Sequence, residues 1–488
     1  MGSCDGARIT VDDGDGSIRL VARHIGIVGA GPAGLAAARM FLDENDRARA
    51  AHQAEVPFLS VTVLERNGAV GGVWNYTPEA KCRYSVPQAH PEDIGLDSRD
   101  ERSATSGMLP TPMYDQLHSN LTKDVMQFTD HPFPDTVPDF PSRTDVLKYL
   151  EGYAATHVLA PERPEFNLRL NTEVVDLAFD AGDAQWTCVV RDPGDLLQES
   201  LTFDAVLLCV GHCDYPYIPD IPGIGELAAH RRCRVMHAKE YRQAADFAGK
   251  SVLVVGGNSS GSDISRQLSY AASAVHVSAR ELTDAEHAFT PRVGDGCCPS
   301  AELYRHPSIA CITADSVQFT DGTSIGIPDV VLFATGYISA FPFLRQTPVP
   351  PLPPLDPRPS DSGDVVHNLF RMLIYAPNPL LSVVSFPTLI VPFPLAEYQA
   401  MYLAQVYQGN LALPPVAQML ESCQVASASR HQYVLGMAQI EYRNAIVDEI
   451  AEAAADGRTH PPRFGHVPKY WDDLAEYTLA RRLASFGF

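Results

Sequence analysis

Positive charge and uninterrupted apolar runs are both scarce in this sequence of 488 residues. Its 37 Lys and Arg residues face 59 Asp and Glu residues, which leaves a formal net charge of -22. Nucleic acid and anionic membrane surfaces would repel so acidic a chain, so neither is expected as a partner. The most apolar segment, residues 380–396, contains three prolines and is too short and too interrupted for a transmembrane span.

Paired cysteines are missing as well. None of the ten cysteines forms a C-x-x-C pair or a regular framework, which disfavours a disulfide scaffold and a dithiol redox centre. The sequence also shows no metal-ligand spacing of His, Cys and acidic residues, so no metal site is expected. Because no apolar signal segment precedes residue 29, we expect a cytoplasmic protein whose thiols are reduced.

The clearest positive signal is the stretch HIGIVGAGPAG at residues 24–34. An apolar run leads to glycines at G-x-G-x-x-G spacing, and residues 35–42 are alanine-rich and helical in character. In a strand–loop–helix unit, such glycines permit a tight turn, close approach of a pyrophosphate and packing of the helix on the strand. Glycines also cluster in ordinary turns, but this setting favours a dinucleotide. The residues expected to bind it are Gly29, Ala30, Gly31, Pro32, Ala33 and Gly34.

A second part of this fingerprint is an acidic residue after the next strand. Residues 61–64 predict a parallel strand, and Glu65 stands at its carboxyl end, where a carboxylate can accept hydrogen bonds from ribose hydroxyls. Glu65 lies 31 residues beyond Gly34, whereas the usual unit has about 20, and the polar residues 45–55 account for a longer crossover. Glu65 is therefore the predicted ribose ligand. The alternative is that it simply ends the strand.

A second nucleotide unit follows, in which SVLVV predicts a strand, GGNSSGSD a loop and residues 264–271 a helix. Gly256 and Gly261 occupy the first and last glycine positions, but Asn258 replaces the middle glycine. This departure leaves an ordinary turn and a nucleotide loop about equally favoured when the motif is taken alone.

The same unit indicates which dinucleotide it binds. Ser259 and Ser260 add side-chain donors for a pyrophosphate at a helix start. The next strand, residues 274–278, ends in Ser-Ala-Arg without the carboxylate that would hold an NAD ribose. A basic strand end at Arg280 suits a 2′-phosphate, so NADPH is the predicted ligand.

The order of these units predicts the domain arrangement. The buried strand at residues 203–210 ends at a glycine turn, and residues 330–334 end in a matching turn, ATGY. Matching turns on both sides of the second unit indicate one domain inserted into another. The predicted fold is α/β, with two Rossmann-like dinucleotide-binding domains, the second inserted into a discontinuous first one. The predicted parts are residues 20–214, the inserted domain 215–326, and residues 327–488 with the C-terminal helices.

The rest of the chain carries weaker signals. Residues 1–20 are expected to form a loose tail, and residues 77–111 a surface excursion rich in proline and charge. Residues 168–177 and 186–190 predict an antiparallel hairpin beside the main sheet. Residues 415–446 are expected to be mostly helical.

Several motifs, in this order and spacing, resemble those of the flavin-containing monooxygenases, particularly the shorter fungal-type members. They are GAGPAG, LERNGAVGGVWNY, the SN of LHSNL, FPSR, CVGH with PYIP, HAKEY, VVGGNSSGSD, ATGY, and VPFP with EYQA. Of the family signature F-x-G-x-x-x-H-x-x-x-[FYW], His237 and Tyr241 match, whereas Arg231 and Cys233 stand where Phe and Gly are usual. The proline-dense stretch YPYIPDIPGI at residues 215–224 predicts a hinge between the domains. We interpret His237 and Tyr241 as structural residues that link this hinge to the second domain.

The resemblance implies an enzyme with two cofactors, FAD in the first unit and NADPH in the second. In this family NADPH reduces FAD, O2 adds at the flavin C4a carbon, and the hydroperoxide passes oxygen to a soft nucleophile. Asn120 matches the family's active-site asparagine, whose amide contacts the flavin edge and the nicotinamide; the alternative is an ordinary turn residue. The resemblance assigns further cofactor contacts to Gly72, Val73, Trp74, Leu121 and Val174 for FAD and to Asp263 for NADPH.

The same resemblance leaves the small-molecule substrate open between an amine, a sulfide and a thiol. Tyr241, in place of the Trp typical of Baeyer–Villiger relatives, favours oxygenation of nitrogen or sulfur. The alternatives are a Baeyer–Villiger enzyme, an uncoupled NADPH oxidase or flavin reductase, and a non-catalytic dinucleotide-binding protein. Residues 77–111 and 286–299 are the loops expected to set selectivity. The oligomeric state is open, with a homodimer as one candidate.

Overall fold

The computed structural model describes most of the chain. It covers residues 7–12, 14–94, 101–102, 106–160, 162–192, 197–229, 233–280, 301–344, 366–427 and 435–468. The α-helices in these stretches are α1 (Pro32–Ala50), α2 (Lys123–Met126), α3 (Arg143–Tyr153), α4 (Ile224–Ala229), α5 (Ser259–Leu268), α6 (Pro392–Tyr407), α7 (Val416–Ser427) and α8 (Gln439–Ala455). Not one of the helices in these stretches has the length and apolar character needed to cross a membrane.

The first large sheet carries the first glycine loop. In spatial order it contains β20 (Leu369–Phe370), β21 (Ile374–Tyr375), β22 (Leu381–Val383), β9 (Ala205–Leu208), β3 (His24–Val28), β4 (Ser60–Leu64) and β5 (Phe166–Arg169). The strands from β22 to β5 run parallel, and α1 is the crossover between β3 and β4. The strand–loop–helix unit predicted around the first glycine motif is confirmed.

The second large sheet is parallel throughout. In spatial order it contains β11 (Arg234–His237), β18 (Val330–Phe333), β12 (Ser251–Val255), β13 (Ala274–Ser278) and β14 (Leu303–His306). Because β18 pairs with both β11 and β12, the inserted unit extends beyond the predicted boundary at residue 326. The predicted α/β fold, with two Rossmann-like units and the second inserted into the first, is confirmed.

Smaller antiparallel sheets surround these two units. They are β1 (Arg8–Val11) with β2 (Ile18–Val21), β6 (Glu173–Asp180) with β7 (Gln185–Arg191) and β8 (Gln198–Phe203), β10 (Tyr215–Pro216) with β19 (Tyr337–Ile338), and β15 (Ile309–Ile312) with β16 (Ser316–Phe319) and β17 (Ser324–Gly326). The β10–β19 pair joins the two segments in which the chain passes between the units.

Two predicted strands are each divided in the structure. The strand expected at residues 203–210 breaks at Asp204, whose carboxylate accepts hydrogen bonds from the backbone amides of Arg23 and His24 at 2.8 and 2.9 Å. The strand expected at residues 168–177 breaks at Asn171, which has a positive φ of 51°. Its first part, β5, joins the main sheet, and only β6 pairs with β7 in the predicted antiparallel manner.

The predicted loose tail is wrong for the N-terminal residues that the structure describes. These residues form the β1–β2 hairpin, and Leu20 is fully buried. Ile18 and Leu413 exchange two backbone hydrogen bonds of 2.8 Å, which tie the hairpin to the C-terminal part of the chain. Residues 1–6 lie outside the described residues.

One helix prediction also needs correction, and the prediction of a mostly helical region at residues 415–446 is confirmed. The second unit's helix, α5, begins at Ser259 rather than at residue 264, because the hydroxyls of Ser262 and Ser265 donate to carbonyl oxygens one turn back and so satisfy serine inside a helix. The region 415–446 contains two helices, α7 and α8, with a short 3-10 turn at Gly436–Ala438 before α8.

The excursion at residues 77–111 is held in place by one buried arginine. The guanidinium of Arg242, whose residue is 6% exposed, donates to the carbonyl oxygens of Thr77 (2.6 Å), Thr111 (3.3 Å) and Met113 (3.1 Å). These carbonyls lie at both ends of the excursion. Two further carbonyls of its own segment and the Thr77 hydroxyl also accept from this guanidinium, and burial lowers the pKa of Arg242.

We expect Arg242→Met to lower the free energy of unfolding by about 3 kcal/mol, because several buried carbonyl oxygens would lose their donor. Calorimetric unfolding measures the change. The control is Arg458→Met, since the Arg458 guanidinium, within the part of the chain that the structure describes, pairs with the exposed Asp456; its loss should change stability by less than about 0.5 kcal/mol. Equal stability of both variants would contradict a role for Arg242 in holding the excursion.

Candidate active site

The first glycine loop is shaped by backbone packing at two of its glycines. Gly29 has a φ of +104°, which favours glycine, and an added Cβ would lie 2.5 Å from the Cys209 carbonyl oxygen. At Gly34, in the first turn of α1, an added Cβ would lie 1.8 Å from the Gly29 carbonyl oxygen. The helix backbone therefore presses on the turn, and the fold by itself requires both glycines.

Gly31 has a different reason to be glycine. Its φ of -74° suits any residue, and an added Cβ would only reach ordinary contact with Gly72 Cα, at 3.5 Å. The fold by itself would therefore accommodate alanine at position 31, although the sequence has glycine there. This room lies at the N-terminus of α1, where backbone N–H groups and the helix dipole favour an anion. The cradle fits the pyrophosphate of FAD.

A short segment covers one side of this loop. The Gly71 amide donates to the Ala30 carbonyl oxygen at 2.9 Å. At Gly72, an added Cβ would lie 2.8 Å from Gly31 Cα. The 3-10 turn Gly72–Trp74 is therefore packed directly on the phosphate loop, which places Gly72, Val73 and Trp74 beside the predicted FAD site.

Glu65 is buried behind the same loop, with 4% exposure. Its carboxylate oxygens accept hydrogen bonds from the backbone amides of Ala30 and Asn67, each at 2.8 Å. Burial raises the pKa of Glu65, and the two amide hydrogen bonds act in the opposite direction. The carboxylate thus orients the loop, and its contact with a ribose stays a prediction. The Thr172 amide donates to the Glu65 carbonyl oxygen, which brings the half-buried Val174 on β6 to this region.

The second glycine loop repeats the packing of the first. Gly256 has a φ of +114°, and an added Cβ would lie 2.4 Å from the Ala334 carbonyl oxygen. An added Cβ on Gly261 would lie 2.0 Å from the Gly256 carbonyl oxygen. The middle residue, Asn258, has φ -73° and ψ -173°, against -74° and -173° at Gly31. The Asn in place of Gly therefore leaves the backbone of the loop unchanged.

A cavity of about 180 Å³ lies between the two units. One wall comes from Trp74 and the loop at residues 113–120, and the other comes from the first turns of α5. The lining residues are Trp74, Met113, Tyr114, Gln116, Leu117, His118, Ser119, Asn120, Ser259, Ser260, Asp263 and Arg266. The structure therefore brings together predicted site residues from both nucleotide units, namely Trp74, Asn120, Ser259, Ser260 and Asp263.

Asn120 is one of the residues that line this cavity. The neighbouring Ser119 hydroxyl donates to the Leu121 carbonyl oxygen at 2.5 Å, so Ser119 is the residue that fixes the local turn. Among the hydrogen bonds of the described residues, none uses the Asn120 amide, and Asn120 is exposed. Leu121 packs against the core of the first unit.

Asp263, a predicted NADPH contact, is occupied by protein groups. Its carboxylate accepts hydrogen bonds from the Tyr114 hydroxyl at 2.7 Å, the Arg266 guanidinium at 2.8 Å and the Gln267 amide at 2.9 Å. Desolvation, followed by the charge of Asp263, raises the pKa of Tyr114. In the structure, Asp263 therefore anchors α5 to Tyr114, which lies just after the excursion. Its contact with a cofactor stays a prediction.

Arg280 lies two residues beyond β13 and is exposed. The nearby Ser278 is buried, and its hydroxyl donates to the Pro307 carbonyl oxygen at 2.8 Å. The hydroxyl of this strand end is therefore turned inward, whereas the guanidinium of Arg280 faces solvent. Glu65, Leu121, Val174 and Arg280 do not line the cavity of the described residues.

The two matching residues of the family signature, His237 and Tyr241, are buried. His237, 1% exposed, donates from Nε2 to the Gly336 carbonyl oxygen at 2.9 Å and accepts at Nδ1 from the Lys239 amide at 3.1 Å. Burial lowers the pKa of His237 to about 3, so the ring is neutral at physiological pH. The Tyr241 hydroxyl donates to Gln267 on α5 at 3.0 Å. The structure supports the interpretation of both residues as structural links.

Sequence reasoning missed three residues of this link. Arg242 holds the excursion, the Lys239 ammonium donates to the Asp214 carbonyl oxygen at 2.6 Å, and the Tyr84 hydroxyl binds both Glu240 and the His237 amide. Lys239 and Arg242 lie within or next to the signature motif, which was the available signal for them, whereas Tyr84 lies 153 positions before His237 and carried no such signal. The predicted selectivity loop at residues 286–299 lies outside the described residues, as does Arg231.

Comparisons with known proteins agree with this geometry. A family model described as flavin-binding monooxygenase-like matches residues 22–285 and 297–461. The thiol-specific monooxygenase of Saccharomyces cerevisiae is 29% identical over 458 residues, covering 92% of this chain and 89% of that protein. Flavin-containing monooxygenase FMO GS-OX-like 2 of Arabidopsis thaliana is 30% identical over 456 residues, covering 88% and 84%. The solved structure of S-allyl-L-cysteine S-oxygenase from Allium sativum has a TM-score of 0.71 and 26% identity, covering 95% of this chain and 93% of that one.

Positions 31 and 34 are glycine for different reasons, so substitution by alanine should have a different effect at each position. The Gly31→Ala variant should fold normally, but its flavin content should fall at least tenfold, because the methyl group occupies space that the pyrophosphate needs. Gly34→Ala should lower the unfolding midpoint even without flavin, because its Cβ meets the Gly29 carbonyl oxygen. Flavin absorbance and thermal unfolding of the apoproteins measure the two effects. Full flavin retention in Gly31→Ala would refute the pyrophosphate assignment.

Proposed function

Because this chain belongs to the flavin-binding monooxygenase-like family and is therefore an FAD-dependent monooxygenase, we propose that NADPH is its reductant and a small sulfur nucleophile its substrate. Monooxygenation of a small molecule by O2 through a bound flavin follows from the family. The sulfur preference is proposed because the relatives named above include a thiol-specific monooxygenase and an S-oxygenase. Homodimerisation and a cytoplasmic location stay predictions.

The observation that carries this proposal is the cavity between the two units, which is lined by residues from both of them. On one side, Trp74 and Asn120 extend from the unit that carries the first loop; on the other, Ser259 and Ser260 begin the helix of the second loop. A reductant bound at the second loop and a flavin bound at the first would meet in this space. Ligands of such α/β units bind at the carboxyl ends of the strands, where both loops lie.

The residues present fit both cofactors. For FAD they are the loop at residues 29–34, Glu65, the turn Gly72–Trp74, Leu121 and Val174; for NADPH they are Gly256, Ser259, Ser260, Gly261, Asp263 and Arg280. The bound flavin supplies the redox and oxygen chemistry. The protein's own residues bind, orient the reactants and keep water out of the cavity.

Asn120 is the proposed catalytic residue. Asn120 lines the cavity, the hydroxyl of the neighbouring Ser119 bonds the turn that carries it, and none of the hydrogen bonds of the described residues uses its amide. A donor fixed in advance by the backbone stabilises developing negative charge without reorganising during the reaction. Trp74, Met113 and Leu117 supply apolar surface beside it, which limits water at the reacting atoms.

The test is stoichiometry. Purified enzyme is given NADPH, O2 and a panel of small thiols, sulfides and amines, and oxygenated product is quantified by mass spectrometry against NADPH consumed. The proposal expects a one-to-one ratio with at least one sulfur compound. Hydrogen peroxide as the sole product with every compound would contradict it.

Asn120→Ala should keep flavin near the wild-type level, because the loop at residues 29–34 is untouched, but should uncouple the reaction. Loss of a preorganised donor worth about 1–3 kcal/mol lowers product per NADPH by roughly ten- to a hundredfold and diverts electrons to hydrogen peroxide. Peroxide and product assays measure the partition. Gln116→Ala, on the same cavity wall, is the matched control and should stay coupled. Full coupling in Asn120→Ala would leave Asn120 a simple turn residue.

Arg280→Ala tests the choice of NADPH. If the exposed guanidinium binds the 2′-phosphate, the KM for NADPH should rise about tenfold, since a charge-assisted hydrogen bond is lost. The KM for NADH, which has no such phosphate, should change less than twofold. Steady-state kinetics with both nucleotides measure the difference. An equal rise for both would place the phosphate contact elsewhere.

A further inference from the structure

The cavity wall at residues 113–120, which we call the wall loop, includes Asn120, the proposed catalytic residue. None of these eight residues belongs to one of the helices or strands of the described chain. A loop has no ladder of hydrogen bonds of its own that would fix its shape, so other elements of the fold must hold it in place. The place of Asn120 in the cavity therefore depends on the contacts of the wall loop.

The start of α3 holds the second half of the wall loop through backbone hydrogen bonds. The Arg143 amide donates to the Leu117 carbonyl oxygen at 3.1 Å, and the Ser119 amide donates to the Pro141 carbonyl oxygen at 2.8 Å. The second of these bonds is made by the residue directly before Asn120. Together they place Arg143, the first residue of α3, beside the wall loop.

The side chain of Arg143 makes a second connection to the wall loop. Its guanidinium carbon lies 3.8 Å from the centre of the Tyr76 ring, and its Nη2 atom lies 3.9 Å from the Asp115 carboxylate. The Tyr76 hydroxyl is hydrogen-bonded to the same carboxylate, and burial, followed by this hydrogen bond, raises the pKa of Tyr76 to about 12. The hydroxyl therefore keeps its proton at physiological pH and donates it to Asp115.

Arg143, Tyr76 and Asp115 together connect both sides of the first cofactor site. Tyr76 lies two residues beyond the turn Gly72–Trp74, which packs on the first glycine loop, and Asp115 belongs to the wall loop. The ion pair alone would contribute little, because the Asp115 side chain is 42% exposed. The planar stack of guanidinium on the Tyr76 ring is the contact that fixes orientation as well as distance.

We propose that Arg143 is a positioning residue for the reaction: stacked on Tyr76 and paired with Asp115, it holds the wall loop so that Asn120 stays in place; this inference rests on the proposed function. A misplacement of about 1 Å can cost roughly a hundredfold in rate, so a small shift of the wall loop is enough to disturb the reaction. The glycine loops are not part of this contact. Loss of Arg143 therefore uncouples the enzyme without releasing its cofactors.

The experiment compares Arg143→Met, Tyr76→Phe and the double variant, each loaded with FAD and given NADPH, O2 and the panel of thiols, sulfides and amines. Arg143→Met should lower product per NADPH about tenfold, while flavin content and the KM for NADPH change less than about twofold. Tyr76→Phe keeps the ring under the guanidinium but loses the hydrogen bond to Asp115, so it should lower product per NADPH only about threefold. The double variant should be no worse than Arg143→Met, because residues that act as one unit have non-additive effects.

The matched control is Lys148→Met, since Lys148 is an exposed cation on the same helix and should leave all three quantities unchanged. Flavin absorbance and thermal unfolding verify that the variants are loaded and folded. Full coupling in Arg143→Met, with Asn120→Ala uncoupled, would overturn the inference while the proposed function stands. Loss of flavin in parallel with loss of product would also overturn it, because Arg143 would then only stabilise the fold. If the wild-type enzyme oxygenates no compound of the panel, the proposed function and this inference fail together.

Discussion

The contact on which the rest of this structure depends is that of a helix backbone against a glycine turn. It occurs twice, at Gly34 on Gly29 and at Gly261 on Gly256, and in each case no side chain fits between the backbones. Gly29 also packs against the carbonyl oxygen of Cys209, and Gly256 against that of Ala334. At both carbonyls the chain leaves a strand of one unit and crosses to the other unit. Because loop and crossing are packed together, both glycine loops face the space between the units.

The crossings are held by a segment that uses backbone carbonyls as its main partners. His237 bonds to Gly336 in the second crossing, Lys239 to Asp214 in the first, and Arg242 to both ends of the excursion. Carbonyl acceptors fix position without adding charge, and the neutral histidine does not titrate near physiological pH. The crossings between the units are therefore held mainly by hydrogen bonds to backbone carbonyl oxygens.

Sequence reasoning succeeded where function depends on short-range patterns. Glycine spacing, apolar strands and the position of Glu65 are local, so both units and the inserted arrangement could be predicted. It failed where a partner is distant in the chain. Arg242 contacts Thr77, 165 positions away. The sequence of β18 does not indicate that this strand pairs with β11 and β12 of the second sheet. Serine in α5 was also misleading, because only the structure shows hydroxyls bonding to carbonyls one turn back.

The comparison of the two loops shows how one backbone design can serve cofactors with different duties. Gly31 is buried and packs against Gly72, so under the proposed function we expect protein to cover the flavin at this loop. Under the proposed reaction the nicotinamide cofactor must enter and leave in each cycle, and its loop is exposed at Asn258. The middle position of the motif is therefore where resident and exchanging cofactors place different demands on the sequence.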